Sequence, residues 1–135
     1  MSEISEIDGI KYLIKNKNDL IQKTLSNGVQ GNKDVILLIG RIQKKYNLQH
    51  CLNIGCHIGT LSIPLSRFFK KITAIEAYPP TFEHLNENLK LNLIHNIETF
   101  NFAVGNKNEE IYFLDNNNER IKNNTGGMHV ITNDD

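Results

Sequence analysis

Residues 51–59, Cys-Leu-Asn-Ile-Gly-Cys-His-Ile-Gly, constrain the fold of this chain more than any other segment. A short apolar run enters a turn with glycines at positions 55 and 59, and a stretch of helical pattern follows. A second apolar run then ends in a carboxylate, Glu76, 21 residues after Gly55. That order is the layout of a nucleotide-binding βαβ unit. Glycines let backbone approach a ligand, and an acid ending the second strand accepts hydrogen bonds from ribose hydroxyls. The Gly-x-x-x-Gly spacing by itself also suits an ordinary strand-to-helix turn. Glu76, at the carboxyl end of the adjacent strand where open α/β sheets bind ligands, is what points to a site.

Ile10, Leu13, Ile14, Leu20, Ile21 and Leu25 recur at roughly helical spacing and predict one amphipathic helix, stopped by Asn27-Gly28. Asp34 is the expected N-cap of a second, carrying Ile36, Leu37, Ile39, Ile42 and Tyr46, although Gly40 lowers its helix propensity. Residues 1–50 are therefore expected to be helices flanking a sheet, with the nucleotide-binding unit over 51–135. Strands are expected at 51–54, 72–76 and 97–103, parallel and in spatial order 3-2-1, with helices at 59–69 and 81–93 between them. Thr81 is the expected N-cap of the later helix, whose Phe82, Leu85 and Leu89 point inward. A fourth extended run at 109–114 is expected as an antiparallel addition on the outer side, in a hairpin across Gly105-Asn106.

With 135 residues the chain suits one domain. Its 15 basic and 15 acidic side chains cancel, which argues against an electrostatic grip on nucleic acid or anionic lipid. No apolar run is long enough to cross a bilayer, and the acidic start Met1-Ser2-Glu3 lacks the charge of a secretory signal. The expected location is the cytoplasm. A disulfide between Cys51 and Cys56 would close a very short loop across extended chain, so both read as reduced thiols, and no second pair suggests a metal site. The asparagine clusters at 116–118 and 123–124 read as surface filler.

Several segments together resemble one family. Asn53-Ile54-Gly55-Cys56-His57-Ile58-Gly59-Thr60-Leu61-Ser62 is similar to the first motif of FkbM-type S-adenosylmethionine-dependent methyltransferases, which reads as an acid, an apolar residue, Gly-Ala-Asn, an apolar residue and Gly. Ile75-Glu76-Ala77-Tyr78-Pro79-Pro80 resembles the family's Glu-Pro-x-Pro segment, and Phe82-Glu83-His84-Leu85 the helix after it. Asn88 and Asn92 match its repeated asparagines, Asn101-Phe102-Ala103-Val104-Gly105 its Asn-x-Ala-Val-Gly strand end, and Asn124-Thr125-Gly126-Gly127 a later Gly-Gly loop. The resemblance covers about residues 51–130 and implies an α/β, Rossmann-like methyltransferase fold with S-adenosylmethionine as cofactor.

It also implies site roles. Asn53, Gly55, Cys56, His57, Gly59 and Thr60 would pass under the methionine and ribose parts. Glu76 and Ala77 would meet the ribose, and Asn101, Phe102 and Ala103 the adenine. Asn53 stands where the family has a carboxylate, Cys56-His57 replaces Ala-Asn, and Ala77 replaces a proline. His57 could reach the cofactor carboxylate, while a half-exposed loop histidine is the expected state. His50, His84, His95 and His129 are expected on the surface. The family's later acidic strand has no counterpart here, so the sheet is expected to be an incomplete three-layer one, with no catalytic residue assignable. The acceptor would be a sugar or small-molecule hydroxyl, and the open edge of the first strand a route to self-association. A non-catalytic binding or interaction module and a nicotinamide-dependent oxidoreductase are the rivals.

Overall fold

The computed structural model describes residues 2–113, 125–127 and 130–131. At its centre is a parallel sheet of β3 (His50–Ile54), β4 (Lys71–Ile75) and β5 (Ile97–Phe100), in that spatial order. Cys51 pairs with Ile72 and Ile72 with Ile97, so the expected parallel order holds. Alternation along each strand sends Cys51, Ile72, Ala74 and Ile97 to one face. There Ile72 and Cys51 pack with Ile36 of α2 (Lys33–Tyr46), Leu65 of α3 (Ser62–Leu65) and Phe69. Ala74 packs with Ile58, Ile63, and Leu85 and Leu89 of α4 (Pro79–Leu91). The opposite face is bare by comparison, with Leu52 and Ile54 59% and 54% exposed. Among the described residues, helices cover one face of the sheet, which leaves the three-layer arrangement incomplete.

The N-terminal expectation is overturned. Residues 3–14 form a β-hairpin of β1 (Glu3–Ile7) and β2 (Ile10–Ile14), and helix begins only at α1 (Leu20–Ser26). The cause is Asp8-Gly9, whose φ angles of 51° and 74° make the two-residue turn whose twist suits a hairpin. Ile10, Tyr12 and Ile14 then alternate into the core, so the period is two rather than 3.6.

α4 covers the outer edge of β2 and serves it as a neighbouring strand would. Asn88 Oδ1 accepts from Leu13 N (2.8 Å), and Asn92 Oδ1 accepts from Lys11 N (2.8 Å). Asn92 Nδ2 donates to Lys11 O (2.6 Å), and the His84 ring donates to Leu13 O (2.7 Å). The match is geometric: four helical residues rise about 6 Å, close to the roughly 6.7 Å spanned by two strand residues. His84 is thereby buried, not on the surface as expected, whereas His50 and His95 are exposed.

Other boundaries shift for local reasons. Asp34 lies in the first turn of α2, and Asn32 occupies the N-cap position. Tyr78, not Thr81, precedes α4, because Pro79 and Pro80 lack the N–H that a first turn leaves unpaired. The helix expected over 59–69 shrinks to α3. Pro64 donates no bond, and Asn96 Nδ2 captures the carbonyls of Ser66 (2.9 Å) and Phe69 (3.0 Å), so the chain leaves as turns. The third strand ends at Phe100 instead of Ala103. The run expected beside it gives β6 (Tyr112–Phe113), which pairs with β7 (Val130–Ile131) instead of β5. Phe113 is held by an edge-on contact with the Tyr78 ring at 5.1 Å. Leu114, His129 and the two asparagine clusters lie outside the described residues.

Candidate functional site

The exit from β3 is organised by acceptors on β4. Ile75 O takes both Gly55 N (2.9 Å) and Cys56 N (3.0 Å). Glu76 Oε2 takes His57 N (2.8 Å), and Oε1 takes Tyr78 N (3.0 Å). The carboxylate is thus clamped at the carboxyl ends of both strands, nine-tenths buried, with lone pairs remaining on each oxygen. His57 adopts a φ of 51°, which turns its N–H toward that carboxylate.

The two glycines differ in their surroundings. Gly55 has a φ of 73°, and a Cβ built there would meet nothing within 4 Å. Gly59 has a φ of 92°, and its Cβ would meet Leu85 Cδ1 at 2.8 Å and Ile63 Cδ1 at 2.9 Å. Gly55 therefore faces open space, and Gly59 lets the turn press onto α4 and α3.

Of the residues expected in the site, the structure brings Gly55, His57, Glu76, Ala77 and Asn101 together. Asn101 Nδ2 donates to Glu76 O (2.8 Å) and Ala77 O (3.0 Å), and Glu76 N donates to Phe100 O (3.0 Å). Phe102 and Ala103 follow on the surface. Thr60 O accepts from Gln30 Nε2 (2.7 Å), which pins the turn to the segment before α2. Two residues point elsewhere. Asn53 Nδ2 donates to the buried Ser62 Oγ (2.8 Å), so its amide ties β3 to α3. The Cys56 side chain belongs to the core, where burial, helped by the nearby Glu76 charge, pushes its thiol up to about 12.

His57 is 8% exposed, not half-exposed as expected. Its Nε2 lies 2.7 Å from Thr125 Oγ1, and Thr125 in turn donates to Asp19 Oδ2 through both N (3.0 Å) and Oγ1 (2.9 Å). Burial lowers the His57 pKa, opposed by the charges of Asp19 and Glu76. Asp19 was not among the residues picked out by the motifs, and Thr125 appeared only as part of a loop. A signal for Asp19 exists: Asp19-Leu20-Ile21-Gln22 before an apolar run is a helix-start signature. Asp19 Oδ1 does cap α1 by accepting from Gln22 N (3.0 Å).

No protein-family model matches the chain, and no curated protein does. Among solved structures it is similar to M. jannaschii TYW2 in complex with AdoMet, with 22% identity and a TM-score of 0.56 over 76% of this chain and 43% of that one. It is similar to P. horikoshii TYW2 in complex with MeSAdo, with 20% identity and a TM-score of 0.50 over 76% and 36%. A SAM-dependent methyltransferase from Agrobacterium tumefaciens matches with 13% identity and a TM-score of 0.55 over 73% and 31%. The chain thus spans less than half the length of each. What the likeness shows is the fold, and this chain has the Rossmann-like fold of methyltransferases.

Proposed function

We propose that this chain is the cofactor-binding part of an S-adenosylmethionine-dependent methyltransferase, of FkbM type, that methylates a hydroxyl of a sugar or other small molecule. The clamped Glu76 carboxylate beside the open side of Gly55 carries this reading. Held by two backbone N–H groups, it keeps acceptor capacity for two neighbouring ribose hydroxyls, each charge-assisted bond contributing about 1.5–3 kcal/mol. Asn101, tethered to the Glu76 and Ala77 carbonyls, and the exposed Phe102 beyond it would flank the adenine. Similar structures bound to AdoMet and MeSAdo support the choice of ligand.

When bound, the cofactor supplies a methyl group made electrophilic by its positive sulfur. The described residues would bind and orient it: Glu76 fixes the ribose, and the Gly55 backbone allows close approach. None of the described histidines is placed as a base for an acceptor hydroxyl. His57 and His84 are buried and bonded, and His50 and His95 lie on the surface. That half of the chemistry is assigned to no residue here. A cytoplasmic location fits the two free cysteines. No described helix is long and apolar enough to cross a membrane.

A second reading is a non-catalytic module that associates through the open edge and bare face of β3, favoured by the exposure of Leu52 and Ile54. Calorimetric titration with S-adenosylmethionine, S-adenosylhomocysteine and NAD in parallel separates the possibilities. The two sulfur nucleosides should bind and NAD should not. Glu76→Ala, checked for folding by circular dichroism, should weaken binding about tenfold to a hundredfold, or about 1.4–2.8 kcal/mol. Binding of NAD alone, or of no nucleoside, overturns the proposal.

A further inference from the structure

The chain between α1 and α2 doubles back and leaves a cavity against the helix. Gly28, with a φ of 74°, donates to Leu25 O (2.9 Å), and Val29 N donates to Thr24 O (3.1 Å). That reversal lays residues 29–32 alongside α1, and Gln30 Nε2 fastens them to Thr60 O at the end of the glycine turn (2.7 Å). The cavity so enclosed measures about 270 Å³, and Leu20, Ile21, Leu25 and Val29 wall it together with Asn32 and Thr60. Leu20 and Val29 are 61% and 51% exposed, so it is open to solvent, and an occupant would bury apolar surface there. Neither Gly55 nor Glu76 lines it, which sets it apart from the ribose position. Strand order decides which end of a bound cofactor lies nearest. Glu76 ends the central strand β4, Asn101 follows β5, and the turn that reaches Thr60 follows β3. With the ribose on Glu76 and the adenine beside Asn101, the sulfur end extends toward β3, the side of the cavity.

We propose that this cavity holds the body of the methyl acceptor, and that the acceptor is an alcohol or phenol carried on a hydrocarbon ring or chain. The assignment rests on the cofactor reading above and narrows it. A sugar would bring several hydroxyls against Leu20, Ile21, Leu25 and Val29, whose side chains return no hydrogen bonds, and each hydroxyl buried unpaired costs free energy. An apolar ring meets no such penalty. A cavity of about 150 Å³ already admits benzene, so this one has room for a substituted ring. The few polar groups suit a single oxygen. Thr24 commits its hydroxyl proton to Leu20 O (2.9 Å), whereas Asn32, at the N-cap position of α2, makes no capping bond and leaves its amide for a ligand. In the transfer, the acceptor oxygen bonds the methyl carbon, the carbon–sulfur bond breaks with its electron pair left on sulfur, and the hydroxyl proton passes to water.

The test uses 4-methylphenol as the apolar-bodied probe and methyl glucoside as the sugar, each added to protein saturated with S-adenosylhomocysteine. In carbon-13 methyl spectra, 4-methylphenol should shift the signals of Leu20, Ile21 and Val29, and methyl glucoside should leave them in place. Nuclear Overhauser contacts should join the phenol ring both to Val29 and to the methylene protons beside the sulfur of S-adenosylhomocysteine. These readouts need no variant. Val29→Trp, at a half-exposed position, fills the cavity. It should weaken 4-methylphenol binding about tenfold and change S-adenosylhomocysteine binding by no more than about twofold. Shifts as large with methyl glucoside, no shifts with 4-methylphenol, or a phenol that touches Val29 without touching the sulfur methylenes overturns this assignment alone. Equal loss of both ligands in Val29→Trp does the same. Failure of the wild-type protein to bind S-adenosylhomocysteine overturns the cofactor reading with it.

Discussion

Alanine at Gly55 and at Gly59 should fail for different reasons, although the two residues lie four apart and both have positive φ angles, 73° and 92°. A left-handed backbone costs an L-residue about 1–2 kcal/mol. Alanine also narrows the unfolded ensemble, which offsets about 0.4–1 kcal/mol of that. At Gly55 nothing else opposes the methyl, so Gly55→Ala should lose about 1 kcal/mol of stability. At Gly59 the methyl lands 2.8 Å from Leu85 Cδ1 and 2.9 Å from Ile63 Cδ1, inside the core. Overpacking adds about 1–3 kcal/mol, for a total of about 2–4 kcal/mol. In urea, with a slope of about 2 kcal/mol per molar, Gly59→Ala should lower the midpoint by about 1–2 M and Gly55→Ala by about 0.5 M. Calorimetry reverses the ranking of interest. Gly55→Ala, folded, should bind S-adenosylhomocysteine about tenfold more weakly, because its methyl occupies the open side of the turn. Gly55→Ala that binds like wild type would show that the space beside Gly55 is not the ligand's. Gly55→Ala less stable than Gly59→Ala would refute the packing argument.

Acidification should destabilise the fold through His57 and His84, whose pKa values burial lowers below the usual 6.5. The unfolded chain takes up these protons first, so stability is full above pH 6.5 and falls below it by up to about 1.4 kcal/mol per pH unit for each ring, until the folded pKa is reached. Urea titrations at pH 7 and pH 5.5 check this, and a His57→Gln, His84→Gln double variant should flatten the difference. Asn53→Asp would place a charge beside Ser62, near the end of β3, and, if the sulfonium lies within its reach, should strengthen binding of S-adenosylmethionine about fivefold, or about 1 kcal/mol, relative to S-adenosylhomocysteine, which lacks the sulfonium charge; an unchanged ratio in paired titrations would place position 53 outside the sulfonium's reach. Leu52→Glu with Ile54→Glu should shift sedimentation of this chain toward the monomer, and a wild-type chain that is already monomeric at all concentrations would remove the self-association reading.

The parallel sheet was legible because its signals are local: apolar runs, two glycines and a terminal acid in the right order. The hairpin was equally local and still went unseen, since Ile10, Leu13 and Ile14 satisfy helical spacing while Ile10, Tyr12 and Ile14 satisfy strand spacing. Asp8-Gly9 breaks that tie, because both residues must take positive φ and Asp-Gly does so readily. Within the site, Glu76 and Gly55 could be read from position in a motif. The burial of His57 could not, because its partners Asp19 and Thr125 lie 106 residues apart in the chain. His84 shows the same limit: one apolar face of α4 was visible in the spacing of Phe82, Leu85 and Leu89, but a strand edge waiting for polar side chains was not.

That edge has a consequence for the order of assembly. A two-residue turn lets β1 and β2 close on each other within about 1–10 μs, with no help from the rest of the chain. Fixing the hairpin in place is another matter. Its outer bonds run from Lys11 to Asn92 and from Leu13 to Asn88 and His84, across 81, 75 and 71 residues. Those bonds cannot form until α4 has wound and the sheet beneath it has paired, and contacts of such separation come slowly. During synthesis the hairpin therefore emerges before α4, forms, and then waits for its partner strand to arrive in the form of a helix. Residues 3–14 leave the ribosome well before the helix that holds them.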